Sequence, residues 1–221
     1  IIDDNEYDLI IDMQNNLKSA FLSFMCKSPV TGLDAKSARE YPAHLAYKNK
    51  SRVPKDMHAV ERQKHLLASA LGYKTNLANR DYGISKANFR KPKKYHFSKY
   101  AICVQNASWT TKQWPIESWK ELLRILEQRD LNLLFPSGNQ AEFERASEIC
   151  SISEKAHALE VLPLDEVAFL IDNSEFTLCS DTGLAHLSAM VGTPSLTLYG
   201  PTDTRLIRTY GNNPVSYTHL T

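Results

Sequence analysis

From Tyr100 onward, short apolar runs alternate with stretches whose apolar positions recur every three or four residues, and polar or glycine-bearing turns separate them. The runs predict strands at Ala101–Val104, Leu131–Phe135, Leu159–Leu162, Phe176–Cys179 and Ser195–Tyr199. The helical spacing predicts helices at Ser118–Arg129, Ala141–Cys150 and Asp165–Ile171, and another from Gly183, with Trp119, Leu122, Leu123 and Leu126 facing inward in the first. Such alternation implies an α/β fold with a parallel, right-handed, doubly wound sheet.

The first third is less regular. Tyr7–Ile11 reads as a compact strand, followed by polar Gln14, Asn15, Lys18 and Ser19 and a helical run from Ala20 to Met25. Polar residues at a strand's C-terminal end are either an ordinary turn or a ligand edge. Lys27 to Val53, with Pro29, Gly32 and Pro42, reads as an irregular surface loop. His58 opens a helix with Val60, Leu67 and Leu71 on one stripe and Gly72 at its end, and His58 and Arg62 share its polar face. Between Tyr73 and Lys99 the pattern lapses. Residues 86–99 carry Lys86, Arg90, Lys91, Lys93, Lys94 and Lys99 without an acidic residue, which reads as a linker that would also suit an anionic membrane surface. The chain thus divides into 1–85, a linker 86–99, and 100–221.

The densest chemistry lies in Cys179-Ser180-Asp181-Thr182-Gly183-Leu184-Ala185-His186-Leu187. It reads as a strand running into a helix, with Asp181 at the N-cap and Leu184, Leu187 and Val191 on the buried face. The amides of Thr182, Gly183 and Leu184 would then form an anion-binding helix end, approached by Thr182 and His186. A capped helix with a core histidine is the bland alternative. Asp-Thr-Gly also occurs in aspartic proteases, but those are β proteins with two catalytic carboxylates. After the predicted strand at Ala101–Val104 there is no G-x-G-x-x-G; the loop instead carries Ser108, Thr110, Thr111 and Lys112, hydroxyls and one lysine suited to phosphate.

Composition narrows the field. The 221 residues are 43% hydrophobic with a net charge of +1, so no global attraction to nucleic acid follows. Cys26, Cys103, Cys150 and Cys179 have no metal-ligand spacing and read as reduced thiols. With no apolar run of membrane-spanning length and no signal peptide pattern, a cytoplasmic protein is expected. Ile1-Ile2 opens in mid-pattern without an initiator Met, as a fragment would.

These residues resemble the ADP-heptose:lipopolysaccharide heptosyltransferases, and within them the type I enzymes. The resemblance rests on Asp12-Met13-Gln14 with Leu17-Lys18-Ser19-Ala20, Ser37-Ala38-Arg39-Glu40, His58-Ala59-Val60-Glu61-Arg62, Lys112 before Trp114-Pro115, Asp181-Thr182-Gly183-Leu184-Ala185-His186, and Tyr199-Gly200-Pro201-Thr202-Asp203. It implies a GT-B architecture of two Rossmann-like domains, the first incomplete here. It also implies inverting, metal-independent transfer of heptose from ADP-heptose to a Kdo sugar of the lipopolysaccharide core, at the cytoplasmic face of the inner membrane of a Gram-negative bacterium. No cofactor and no nucleic-acid partner are implied.

By position, the resemblance assigns catalysis to Lys112 and Asp181. It assigns donor binding to Ser108, Lys112, Glu142, Asp181, Thr182, Gly183 and His186, with Glu142 on the ribose, and acceptor binding to Lys18, Arg39 and Arg62. Ser108 stands where the family often has Thr. A lysine and a helix end can together offset the charge of a leaving diphosphate, and the chain has no D-x-D pair for a metal. The family's general base belongs to an N-terminal Gly-Asp loop this chain lacks; if a carboxylate of this chain served instead, Asp12 would be first. Residues 214–221 stop matching the family and read as foreign or truncated sequence. Alternative readings are a nucleotide-sugar-binding module without turnover, a type II heptosyltransferase, or a sugar-nucleotide epimerase.

Overall fold

The computed structural model describes residues 7–218, which form two compact units: the described residues up to 79 with 205–207, and 80–204 with those from 208 onward.

In the first unit, β1 (Ile10–Ile11), β2 (Val30–Leu33) and β3 (Asn49–Ser51) pair in parallel in that order. Successive strand residues serve opposite faces. Ile10 and Val30 pack with Ala20 of α1 (Leu17–Phe24), while Ile11 and Leu33 pack with Leu66 of α2 (Ala59–Leu71). Asn16 caps α1 in a capping box with Ser19. His58 caps α2 through its ring, and Gly72 closes that helix at φ 72°. The region read as an irregular loop, 27–53, in fact holds β2, β3 and a 3₁₀ turn at Tyr41–Ala46. Gly32 hid β2 from the pattern, and its role is steric: a Cβ there would lie 2.3 Å from the Tyr47 ring.

The second unit is a six-stranded parallel sheet in the order β6-β5-β4-β7-β8-β9, formed by β4 (Tyr100–Val104), β5 (Asn132–Phe135), β6 (Ala156–Ala158), β7 (Thr177–Ser180), β8 (Ser195–Tyr199) and β9 (Pro214–Thr218). On one face, Trp119 and Leu123 of α3 (Ile116–Leu126) and Ala146 and Ile149 of α4 (Gln140–Cys150) cover Ala101, Cys103, Leu133 and Phe135. On the other, Val167, Leu170 and Ile171 of α5 (Leu164–Asp172) and Ala185 and Val191 of α6 (Gly183–Val191) cover Tyr100, Ile102, Val104 and Leu134. The sheet is therefore doubly wound. The chain enters at β4, moves outward to β6, and returns to β7 on the other side of β4, so the order reverses between β4 and β7. Open α/β sheets bind ligands beyond the strand ends at such a reversal.

Three local expectations are corrected. The third strand of this unit is Ala156–Ala158 rather than Leu159–Leu162. His157 interrupts the apolar pattern, yet its ring bonds Asn132 Oδ1 at 3.2 Å and lies on Phe97 with centroids 4.6 Å apart. The most buried face of α6 is Ala185, Ser188 and Ala189 rather than Leu184 and Leu187, because small residues let the helix approach the sheet. Of residues 214–221, read as foreign or truncated tail, Pro214–Thr218 adds the edge strand β9 to β8, and 219–221 lie outside the described residues.

Residues 86–99, read as a linker, pack along the second unit. Lys86 pairs with Asp172, Arg90 with Asp165 and Lys94 with Glu160, while Phe89, Tyr95 and Phe97 join the α5–α6 core. A one-turn helix, α7 (Thr204–Ile207), follows β8. Among the described residues no helix is long and apolar enough to cross a membrane.

Candidate functional site

The sheet reversal of the second unit gathers three chain segments. The loop after β4 ends in a 3₁₀ turn, Thr110–Lys112, which lifts Lys112 towards the end of β7. There the Lys112 ammonium lies 2.7 Å from Oδ2 of Asp181. The third segment is the turn after β8, where the hydroxyl of Thr202 donates to the same Oδ2 at 2.5 Å. Gly200 makes the convergence possible: a Cβ there would lie 2.8 Å from the carbonyl oxygen of Thr111. The exposed Trp109 ring lies 5.7 Å from the Lys112 ammonium.

Asp181 is 9% exposed and does not cap α6. That corrects the N-cap expectation by one residue: the cap position belongs to Thr182, in extended backbone at φ −148° and ψ 170°, and no side chain caps the helix. The aspartate is drawn away by Lys112 and Thr202. The helix end keeps its partial positive charge without a carboxylate of its own upon it. A Cβ on Gly183, the first helical residue, would meet nothing within 4 Å, so the space before the helix is open. His186 stands one turn further on, half-buried.

Glu142, the third residue of α4, is fixed by both neighbouring loops. Its carboxylate accepts from the side chain of Asn106 and, at 2.7 Å, from the amide of Gly138; Asn139 donates to it at 3.1 Å and caps its own amide. Asn106 follows β4 and Gly138 follows β5, so Glu142 stands at the C-terminal edge of the sheet. Two oxygens beside it, Asn106 Oδ1 and Ser137 Oγ, are buried without a partner. Ser108 is exposed on the loop leading to Lys112. The six positions from Ser108 to Gly183 that the resemblance assigns to the donor thus lie at this edge, and sequence reasoning did not assign the residues that hold two of them, Asn106 and Gly138 at Glu142 and Thr202 at Asp181.

The first unit has its own cavity, about 530 Å³, lined by Gln14 and Asn15 beyond β1 and by Arg39, Lys55, Arg62, Met13 and Met57. Its lining holds three cations and no acidic residue. Arg62 donates to the Ser37 carbonyl at 2.5 Å, while its Nε is buried without a partner and burial pushes its pKa down from the ordinary guanidinium value. The arginines expected to meet an acceptor therefore share one cavity. Lys18 is exposed on α1 and absent from that lining, whereas Lys55, which no motif singles out, is part of it.

Asp12 is engaged in the fold. Its Oδ1 accepts the amides of Gln14 at 2.9 Å and Asn15 at 3.0 Å, and its Oδ2 accepts the Tyr47 hydroxyl at 2.6 Å. Among the described residues, no three or more His, Cys, Asp or Glu side chains gather in a group able to hold a metal ion.

With this geometry in view, comparison with known proteins is direct. The family model described as glycosyltransferase family 9 (heptosyltransferase) matches residues 2–219. Lipopolysaccharide heptosyltransferase 1 of Salmonella typhimurium is 35% identical over 96% of this chain and 67% of its own length. The enzyme of the same name from Pseudomonas aeruginosa is 36% identical over 95% of this chain and 59% of its own length. The chain therefore spans about three fifths to two thirds of these curated relatives. Among solved structures, E. coli heptosyltransferase WaaC with ADP aligns with a TM-score of 0.88 at 33% identity, covering 98% of this chain and 68% of that one. E. coli heptosyltransferase II shares the fold at 18% identity and a TM-score of 0.72. The α/β class with parallel sheets is thus that of the GT-B heptosyltransferases.

Proposed function

The chain belongs to glycosyltransferase family 9, the heptosyltransferases, and on that footing we propose that it serves the transfer of heptose from ADP-heptose to a Kdo sugar of the lipopolysaccharide inner core, with inversion at the anomeric carbon. The observation that carries this reading is the Lys112–Asp181 pair beside the uncapped end of α6, at the reversal of a doubly wound sheet.

Cleavage of a glycosyl–diphosphate bond leaves negative charge on the departing phosphates, and groups already aimed at that charge lower the barrier. Lys112 supplies an ammonium whose charge Asp181 partly offsets, and the α6 terminus adds about half a positive unit. Asp181 keeps the ammonium in register while its second contact, Thr202, fixes the carboxylate. The open space at Gly183 admits a phosphate to the Gly183 and Leu184 amides. Glu142 receives the ribose hydroxyls, with Asn106 and Gly138 holding its carboxylate, and Ser108, Thr182 and His186 line the donor.

The cavity with Arg39, Lys55 and Arg62 receives the carboxylates and phosphates of the acceptor, since three cations without an acidic neighbour form a field that selects anions. The enzyme would work at the cytoplasmic face of the inner membrane, held there peripherally by its lipid acceptor. ADP titration of the chain is the direct test, because it asks only for the donor half. Micromolar to millimolar binding that competes with ADP-heptose supports the reading, and absence of ADP binding by the folded chain would end it.

A further inference from the structure

The loop after β4 is tied at both ends by one side chain of α4. Arg145 Nε donates to Gln105 Oε1 at 2.6 Å, and its Nη2 donates to the carbonyl of Trp114 at 2.8 Å. Gln105 is wholly buried at the end of β4, and Trp114 lies just before α3, so these two bonds close the neck of residues 105–114. Inside the neck, Gln113 donates to the Ala107 carbonyl at 2.9 Å. The loop so enclosed carries Ser108, Trp109 and Lys112.

The arrangement has two unusual features. Both hydrogen-bond acceptors of the guanidinium are neutral, and the carboxylate whose charge acts on it, Glu148 one turn further along α4, makes no hydrogen bond to it, so its two N–H bonds go to the loop neck. The Gln105 amide, moreover, donates to the backbone oxygen of Glu142, one turn earlier on the same helix, at 3.1 Å. The helix that bears Glu142 and the loop that bears Lys112 are therefore joined through one Gln105–Arg145 unit. Nε and Nη2 form one rigid edge of the guanidinium, able to bridge two acceptors at a fixed separation, which a lysine ammonium on a flexible stem cannot do.

We propose that Arg145 is a positioning residue for the donor, holding the diphosphate loop at Lys112 in register with the ribose residue Glu142. The inference rests on the donor-site reading given above, and it concerns a side chain that touches neither reacting atom.

The test uses the whole chain and two variants, Arg145→Lys and Arg145→Gln, with melting temperature as the check that each is folded. Hydrogen exchange asks about the brace without any ligand: amides of residues 106–113 should exchange about tenfold faster in both variants, the size of effect of one charge-assisted hydrogen bond, with β4 unchanged. ADP titration then asks about function. Affinity for ADP should fall about tenfold in both variants, adenosine affinity should stay within about twofold, and the ADP loss should vanish in a Lys112→Ala background, since Arg145 acts through Lys112. Unchanged loop exchange would overturn the brace. Full recovery by Arg145→Lys would overturn the role of the planar fork, and equal losses for ADP and adenosine would reduce Arg145 to a general stabiliser. Should the unaltered chain fail to bind ADP, the donor-site reading falls while the exchange measurement still decides whether Arg145 orders the loop.

Discussion

Lys112 and Asp181 meet at 2.7 Å although they leave the sheet on different strands, β4 and β7, on the two sides of its reversal. A buried carboxylate that loses its cation is costly, so the two substitutions should differ. Lys112→Ala strips Asp181 of its partner and the ligand of its cation. We expect a loss of ADP affinity of about tenfold or more and destabilisation by about 3 kcal/mol. Asp181→Asn keeps the hydrogen-bonding shape but frees the lysine, and should cost less in ADP affinity than Lys112→Ala. Calorimetric titration orders the variants; unchanged ADP affinity in Lys112→Ala would remove the lysine from the site.

Two glycines flank this pair and answer to different constraints. Gly200 is confined by protein, with the Thr111 carbonyl where a Cβ would go, while Gly183 faces open space. Gly200→Ala should therefore push the 110–112 turn away, lowering stability by about 1–3 kcal/mol and weakening ADP binding as well. Gly183→Ala should leave stability within about 0.5 kcal/mol, as substitutions away from packed features do, and weaken ADP binding alone. Denaturant melts beside ADP titrations separate the two patterns, and a Gly183→Ala variant with normal ADP affinity would show that nothing approaches that helix end.

Elements with punctuation at both ends were legible from sequence, and elements held by distant partners were not. β8 lies between Pro194 and Gly200-Pro201, and its range was read residue for residue. β6 was shifted because His157 finds its partners, Asn132 and Phe97, only in the folded chain. β2 was hidden by Gly32, whose reason is the Tyr47 ring. At the site, the Asp-Thr-Gly block marked the helix end, yet local rules placed its cap on Asp181 because they could not include Lys112 and Thr202, which redirect that carboxylate. Arg145 lies 40 residues from Gln105 and 31 from Trp114, beyond any periodic signal. Lys55 sits in a turn between β3 and α2 with no periodic pattern around it.

The cations of the first unit predict a separation of effects. Arg39→Ala, Lys55→Ala and Arg62→Ala, placed in the full-length enzyme, should each raise the apparent KM for a phosphorylated Kdo acceptor while leaving ADP affinity as it was. Lys18→Ala, outside the cavity lining, should have the smallest effect of the four basic positions tested. A comparable rise in KM for Lys18→Ala alone would place the acceptor over α1 rather than in the cavity.

Alkaline pH should weaken the second unit in particular. Burial pushes the thiols of Cys150 and Cys179 up to about 12 from an ordinary 9.0, the Tyr100 hydroxyl up to about 12 from 10.0, and Cys103 well above 9.0. Raised acids favour the folded state only while the unfolded chain also keeps its protons. Their contribution is therefore complete below pH 9 and declines as pH rises from about 9 towards 12, by about 1.4 kcal/mol per pH unit for each fully ionising group. Thermal melts at pH 8, 9, 10 and 11 should fall progressively, and Cys26, the most exposed thiol, should alkylate first in the folded chain. A melting temperature that held steady to pH 11 would contradict the burial of these groups.

Asp12, whose carboxylate accepts the amides of the cavity-lining Gln14 and Asn15, should prove structural. Its two oxygens accept three hydrogen bonds, from two loop amides and from Tyr47, and Asn15, held at φ 53°, carries the network on to the Leu33 amide at 2.6 Å. Burial, the hydrogen bond to Asp12 and that carboxylate's charge together push the Tyr47 hydroxyl far above its ordinary value, so Tyr47 stays protonated and keeps donating. Tyr47→Phe leaves Oδ2 buried without its donor and should cost about 1.5–3 kcal/mol, the range for a hydrogen bond to a charged group. Asp12→Asn should cost a similar amount, and the double variant less than the sum, because both remove one shared interaction. ADP affinity, which the proposed donor site assigns to the second unit, should not move. Urea denaturation of the three variants measures the coupling; strict additivity, or a stable Asp12→Asn chain that had lost only transfer activity in the full-length enzyme, would return Asp12 to the list of groups able to take a proton from the acceptor.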